Sequence, residues 1–407
     1  VIEFEGGDGM ARKLSLLVSM LSVSMVSFLL SGCGPASVSS PVSTINVGLI
    51  CSCTGPYASS LVGDEATYKA WASATNAAGG INGHKVNVFF SDDLSNPATS
   101  LSEVETMITV DHVVAITDDS GVDTAWEAFA NQHNVPIVGG GLGGAIFNTD
   151  PDWFPEGQTV NALEASVVVA AKKAGAKSIA FFYCAETPGC AESVPYIRTL
   201  AATLKTPLVY TTQIAYAEPN YVAPCLAAKQ SGAQALIVVE AAVVVQSAVA
   251  DCAKQGYTPI DVVDGSAVAL SDTSTPGLRD NLLAIQSDIP FSVKANPGMQ
   301  AMRLALTKYA PSVLTSPSFG ETIVFQWVSG QLLAAAVKAA HVKSGEAVTS
   351  ADIKTGLYSL RGDTLGGMAP PLTFKKGAAH LVNCWFWMRL KGGVFTTPYG
   401  LTTTCYG

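Results

Sequence analysis

The run Ile45-Asn46-Val47-Gly48-Leu49-Ile50-Cys51 decides how the rest of the chain reads. It carries no charge and is rich in Val, Ile and Leu, the composition of a strand covered on both faces. A helical stretch over 64–78 follows, with Tyr68 and Trp71 three apart and Gly79-Gly80 as its stop signal. Val86 to Phe90 then reads as a strand, Thr99 to Val110 as a helix, and His112 to Thr117 as a strand. Val122 to Gln132 is helical again and Val135 to Val138 is a short strand. Short β-rich runs separated by helices call for a parallel sheet with right-handed crossovers and helices on both faces.

Working outward, Gly139 to Gln158 is rich in Gly and Pro and marks a change of lobe. Beyond it the rhythm resumes. Helices are expected over 160–174, 190–204, 220–231 and 243–255, alternating with strands over 178–183, 208–214, 235–239 and 260–263. Later come helices over 296–308, 319–340 and 349–358, then a strand pair near 380–389 and 394–397. No internal repeat is evident. The fold class expected is α/β, with two doubly wound parallel-sheet lobes.

A chain of 407 residues with 48% hydrophobic and 14% charged residues can bury a sizeable core, which argues against disorder. The formal net charge of −9 offers no basic surface to phosphates, so a nucleic-acid partner is not expected. At the N-terminus, Met10-Ala11-Arg12-Lys13 is a short basic segment, and Leu14 to Leu30 is apolar or Ser throughout. That is a secretory layout. Its end, Leu30-Ser31-Gly32-Cys33, resembles the lipobox of bacterial lipoproteins, which implies lipidation of Cys33, a signal over 10–33 and a tether over 34–44. An ordinary membrane anchor is the other reading. Val1 to Gly9, with three acids, does not belong to a signal and reads as a misplaced start. No other stretch is long enough and apolar enough to span; Leu236 to Ala250 is broken by Glu240 and Gln246.

Nine cysteines fit an extracytoplasmic address. Without Cys33 the number is even, and local spacing favours Cys184 with Cys190; Cys225 and Cys252 can meet if their two helices are neighbours, and Cys384 and Cys405 can staple the C-terminus. Cys51 and Cys53 remain open. A C-x-C can be half of a metal site, but His84, His112, His133, His341 and His380 show no ligand spacing, so no metal and no cofactor are expected.

Several motifs now converge. Ile45 to Ile50 runs into Thr54-Gly55-Pro56-Tyr57-Ala58, and the first helix ends Asn76-Ala77-Ala78-Gly79-Gly80-Ile81-Asn82-Gly83. Asp92-Asp93 follows the second strand, with Asn96-Pro97 next, and Asn134-Val135-Pro136-Ile137-Val138 forms a later strand. Together these resemble the type I periplasmic solute-binding proteins, in their leucine/isoleucine/valine-binding branch. The resemblance covers 45 to about 390 and is most specific in the N-terminal third. It implies two lobes on a three-segment hinge, residues 45–157 with about 285–365 and residues 158–284 with about 366–407. It further implies a monomer without catalytic activity that traps a small polar solute between its lobes and hands it to an ABC permease, with the lipid holding it to the membrane.

Ligands of open α/β sheets bind at the carboxyl ends of strands, where helix N-termini present free N–H groups. The first such end is the loop from Cys53 to Ser60, where Tyr57 offers a stacking face and Ser59 or Ser60 a hydroxyl; Tyr57 can equally pack the loop. At the second, Asp119 and Ser120 align with the family's paired hydroxyls for a ligand carboxylate. Asp119 replaces the first of them and would repel a carboxylate unless a cation offsets it. Both residues also suit a helix N-cap. At the third, Gly141 and Gly143 leave only main-chain donors. In the second lobe Glu186 precedes Pro188, where the family often has an aromatic, and Glu240 and Asp264 close two further strands as candidate partners for an ammonium. Trp327 either walls the site or packs in the core. The set that grips an α-amino acid is therefore incomplete, and a small polar solute bearing an amino or amide group is expected, with a branched-chain or other amino acid as what the family resemblance implies by default.

Two rival readings rest on the same residues. A sensing co-receptor would have the same lobes. A nicotinamide enzyme rests on Gly139-x-Gly141-x-x-Gly144, a formal dinucleotide fingerprint. That motif needs a helix opening at its glycines, and Pro151 and Pro155 disfavour one. G-x-S-x-G, H-E-x-x-H and phosphate-loop motifs are missing.

Overall fold

The computed structural model describes residues 43–140, 144–186 and 188–406. The expected signal segment, Cys33 and most of the tether lie outside them, as do Gly141 and Gly143.

Five strands build the first sheet: β1 (Thr44–Cys51), β2 (Lys85–Asp92), β3 (Ala115–Asp119), β4 (Ile137–Val138) and β5 (Trp153–Phe154). They are parallel and run in the order β2-β1-β3-β4-β5. Nearly all of β1 is buried, as its charge-free sequence requires. Gly48 in its middle allows the helix Pro97–Thr109 to sit close, because a Cβ there would stand 2.8 Å from Met107 Sδ. That helix starts where Asn96 accepts from the N–H of Ala98 and Thr99, both at 3.0 Å, with Pro97 preset for the first turn.

The second sheet holds β6 (Ile179–Cys184), β7 (Leu208–Ile214), β8 (Ala235–Val239), β9 (Ile260–Asp264) and β10 (Leu282–Gln286). A two-stranded ladder pairs β11 (Arg361–Asp363) with β12 (Leu372–Thr373). The chain then returns as β13 (Cys384–Lys391), β14 (Val394–Thr396) and β15 (Thr404–Cys405). The order is β14-β13-β10-β9-β8-β6-β7, with β13 antiparallel to β10 and β15 paired to β13. Between β10 and β11 the chain goes back to the first sheet's layer, where Pro297–Tyr309 and Glu321–Ala339 pack on the helix Asp64–Ala77. The protein is therefore an α/β fold of two parallel-sheet lobes.

Three expectations need adjusting. Residues 122–132 do not form one helix. They split into a 3₁₀ turn, Asp123–Ala125, and a short helix, Glu127–Gln132, because Trp126 between them is buried against Trp153 with ring centroids 5.6 Å apart. Residue 112 starts a turn rather than a strand, since His112 has φ 54°, and β3 instead extends through Asp118 and Asp119. The strand β10 was not expected at all.

The cysteine spacing is matched in space. Cys184–Cys190, Cys225–Cys252 and Cys384–Cys405 are disulfides, and the open pair resolves as a fourth, Cys51–Cys53. Among the described residues no group of three or more His, Cys, Asp or Glu is arranged to hold a metal ion. Among them, too, no helix is long and apolar enough to cross a membrane.

Candidate ligand-binding site

In both sheets the strand order reverses once, at β1/β3 and at β6/β8. Such switch points leave a crevice at the carboxyl ends of the strands, because the two flanking crossovers leave in opposite directions. The first crevice is framed by the loop after β1 and by Asp119-Ser120. The second is framed by Glu186 after β6 and Glu240 after β8.

The first crevice is fastened from below by Asp93, which is fully buried. Its carboxylate accepts from Ser52 Oγ at 2.8 Å, Ser100 Oγ at 3.1 Å, the Ser95 N–H at 2.8 Å and the Ser120 hydroxyl. Ser52 sits inside the Cys51–Cys53 ring and also accepts from the Gly121 N–H at 2.9 Å. Ser120 thus points its hydroxyl inward, and its oxygen accepts from the Val122 N–H at 3.1 Å. It caps no helix of its own: the turn Asp123–Ala125 has no side-chain cap. Tyr57 is half-buried with its ring over Gly121, where an added Cβ would stand 2.7 Å from Cε2.

Asp119 is fully buried and accepts from the Gln326 side-chain amide. Gly140 has φ 147° and donates its N–H to Glu156 at 2.9 Å; a Cβ there would collide with the Asp118 carbonyl, so only glycine fits. Burial pushes Glu156 up to about 8; main-chain bonds from Glu156 itself and Gly140 oppose this without offsetting it, and the Asp119 charge adds to it. Burial likewise raises Asp118 well above the ordinary carboxylate range and Asp123 to about 6. After Gly144 comes only a 3₁₀ turn, Ala145–Asn148, so no helix N-terminus is presented there to a pyrophosphate.

In the second crevice the Glu186 and Glu240 carboxyls interact with each other. Burial, then this interaction, pushes Glu240 up to about 8. Burial alone would raise Glu186 too, but the interaction with Glu240 and bonds from the N–H groups of Tyr216, Glu186 itself and Ala185 bring it below its ordinary value. The pair therefore holds one proton and one charge. Asp264 is committed locally, accepting from the Ser266 N–H at 3.1 Å and its hydroxyl at 2.8 Å. Burial raises it as well. The ion pairs Lys69–Glu65, Lys254–Asp251, Arg279–Asp280 and Lys354–Asp152 involve none of Glu186, Glu240 and Asp264.

The helix Glu321–Ala339 runs from the end of β10, through Glu321, to the first crevice, through Gln326. Burial raises Glu321 well above its ordinary value; its carboxyl accepts from the N–H of Ser287 and, at 3.4 Å, of Asp288, just after β10. Thr322 donates to the Ser60 carbonyl at 2.8 Å. Trp327, 3% exposed, packs in the core of this helix, which is buried nearly all round. The sequence reading did not single out Glu156, Glu321 or Gln326. For Glu321 and Gln326 the available signal was a polar residue in an otherwise apolar helical run, since buried polar groups need partners; Glu156, in the loop after β5, carried none.

Residues 44–394 match the family model for periplasmic binding proteins, and the chain belongs to that family, one of extracytoplasmic solute receptors rather than enzymes. Solved structures share the fold. An extracellular ligand-binding receptor from Verminephrobacter eiseniae is 19% identical over 87% of this chain and 100% of its own, with a TM-score of 0.73. A branched-chain amino acid transporter substrate-binding protein from Streptococcus pneumoniae, in complex with isoleucine, is 17% identical over 89% and 99%, with a TM-score of 0.71. An ABC transporter solute-binding protein from R. palustris, in complex with benzoate, is 17% identical over 87% and 95%, also with a TM-score of 0.71. A comparison with proteins of curated function finds no significant sequence match.

Proposed function

We propose that the protein is the solute receptor of an ABC importer, binding one small polar solute between the two switch-point crevices. Residues 45–157 with about 285–365 form one hinged lobe, residues 158–284 with about 366–407 the other, and a lipid on Cys33 tethers the monomer to the membrane. The observation that carries this reading is the facing of the crevices, since the loop after β1 reaches the start of the helix after β8 through Ser59 and Ser60. Relatives that carry isoleucine or benzoate support a small organic solute.

The acids refine the solute. Glu186, Glu240 and Asp119 line or underlie the crevices, whereas a free carboxylate wants hydroxyls and N–H groups. A ligand amine or amide matches a half-protonated carboxyl pair, which can accept from one and donate to the other. Tyr57 supplies an apolar face beside it.

Thermal denaturation against amino acids, amides, polyamines and aromatic acids tests this. A native-state ligand raises the melting temperature by mass action. Saturable stabilisation by an amine or amide is expected. Stabilisation by benzoate alone would sink the ligand chemistry, and stabilisation by a nicotinamide cofactor alone would sink the receptor reading.

A further inference from the structure

Four carboxyls gather where β9 and β10 end. Asp264 closes β9, Asp288 follows β10, Glu321 opens the helix Glu321–Ala339, and Glu156 follows β5. Asp288 and Glu321 are fully buried and Glu156 nearly so. The charges that act on Asp288 are Glu156 and Glu321, and those that act on Glu321 are Asp264 and Glu156. Among the described residues none of the four forms an ion pair. Hydrogen bonds satisfy only part of the group. Asp264 accepts from Ser266, Glu156 from the Gly140 N–H, and Glu321 Oε1 from the Ser287 N–H. Glu321 Oε2, both oxygens of Asp288 and both amide atoms of Gln286, the last residue of β10, are buried without a protein partner. Glu321 and Gln286 converge on one point: a Cβ on Gly265 would stand 1.1 Å from Glu321 Oε2 and 2.6 Å from Gln286 Nε2.

Buried polar atoms are ordinarily paired, so this many orphans at one place call for a partner from outside the chain. An ammonium or guanidinium fits, because it brings several N–H donors and a positive charge to an acidic, acceptor-rich site. A metal ion does not fit, since among the described residues no three acids are arranged to hold one. A second acidic pole, Glu186 with Glu240, follows β6 and β8 of the same sheet. β6, β8, β9 and β10 are parallel neighbours in that order, so their carboxyl ends lie on one side. Two inter-strand spacings put the ends of β8 and β10 roughly 10 Å apart. We propose that the solute carries a positive charge at each end, as a linear diamine or triamine does, with one end at Glu186 and Glu240 and the other among Gln286, Asp288 and Glu321. The inference rests on the receptor reading above and names the class of its solute. An amino acid leaves one pole unanswered and brings its own carboxylate to the acids. Burial keeps the empty Asp288 and Glu321 protonated, so a cation that enters displaces protons into the solvent.

Calorimetric titration of the protein with putrescine, spermidine, butylamine, leucine and benzoate, in two buffers of different ionisation enthalpy, tests this. One-site binding of a diamine or triamine with proton release is expected, at least about tenfold tighter than butylamine, the scale of one charged hydrogen bond. Asp288→Asn and Glu321→Gln each weaken it by roughly tenfold and reduce the proton release. Glu240→Gln, at the other pole, weakens it too and decides the matter if neither buried variant folds. Binding of leucine or benzoate without diamine or triamine binding overturns the inference and leaves the receptor reading standing. Binding of none of the five overturns it as well, while the wider panel above still decides the receptor reading. Amine binding that every folded variant leaves unchanged is surface attraction to a chain of net charge −9, and overturns it too.

Discussion

Gln326, in the second turn of the helix Glu321–Ala339, donates its side-chain amide to the carboxyl of Asp119 at the end of β3. Both residues are fully buried. The bond ties the long core helix to the strand end that frames the first crevice, so helix position and crevice shape are not independent.

Gln326→Leu removes that donor while keeping the volume. Losing a buried hydrogen-bond partner costs about 1–3 kcal/mol. Urea denaturation of the variant is expected to show a lower midpoint, and a midpoint equal to the parent's would mean that Asp119 is satisfied without the helix.

Acidity should stabilise the protein. Glu156 and Glu240 are raised to about 8 and Asp123 and Asp272 to about 6, chiefly by burial. Raised carboxyls bind more protons in the folded state than in the unfolded one. Their contribution is therefore complete below the unfolded values and declines as pH rises through the folded ones. The melting temperature should fall between pH 5 and 8.5, with the steepest share from the more buried Glu156. Glu156→Gln keeps an acceptor for the Gly140 N–H and should flatten the profile; an unchanged slope would assign the dependence elsewhere.

Asp93 gathers three hydroxyls and an N–H group, so it should matter more than any one of its partners. Asp93→Ala strands several donors at once and should cost more than about 3 kcal/mol, against roughly 1 kcal/mol for Ser120→Ala. Equal losses on denaturation would show that the network does not converge on Asp93.

The disulfides divide by what they close. Cys225–Cys252 spans 27 residues, and a chain-entropy argument puts its removal at about 3–4 kcal/mol. Cys51–Cys53 spans 2 and constrains the unfolded chain little, so replacing that pair by Ser should leave the midpoint nearly in place. Its effect should appear instead as faster hydrogen exchange at Gly121, whose N–H bonds to the enclosed Ser52. The reverse pattern would contradict this division.

Legibility followed the range of the forces involved. The stretch from β1 to β2 could be read directly, because charge-free strand residues, the Tyr68/Trp71 spacing and Gly79-Gly80 act within a few positions. The ends Asp119, Glu186 and Glu240 were findable because they abut such strands. In contrast Leu282-Leu283-Ala284-Ile285-Gln286 is short and holds a single β-branched residue, and it is a strand because β9 and β13 flank it. Gln326 and Glu156 were beyond reach for the same reason: their partners lie 207 and 16 residues away, at contacts that only the assembled fold creates.

The antiparallel insertion of β13 beside β10 has a bearing on how the protein comes into being. Between these neighbours the chain makes a long excursion through the other sheet's helices. Until it returns, β10 is an unpaired, apolar edge, the kind of template on which stray strands add. Distant pairings are also slow to close. Neither lobe can therefore mature alone on a chain delivered from one end, and a nascent molecule spends its most sticky interval half-built. Whatever shields an exported chain at that stage should recognise β10, a segment the finished protein keeps out of sight.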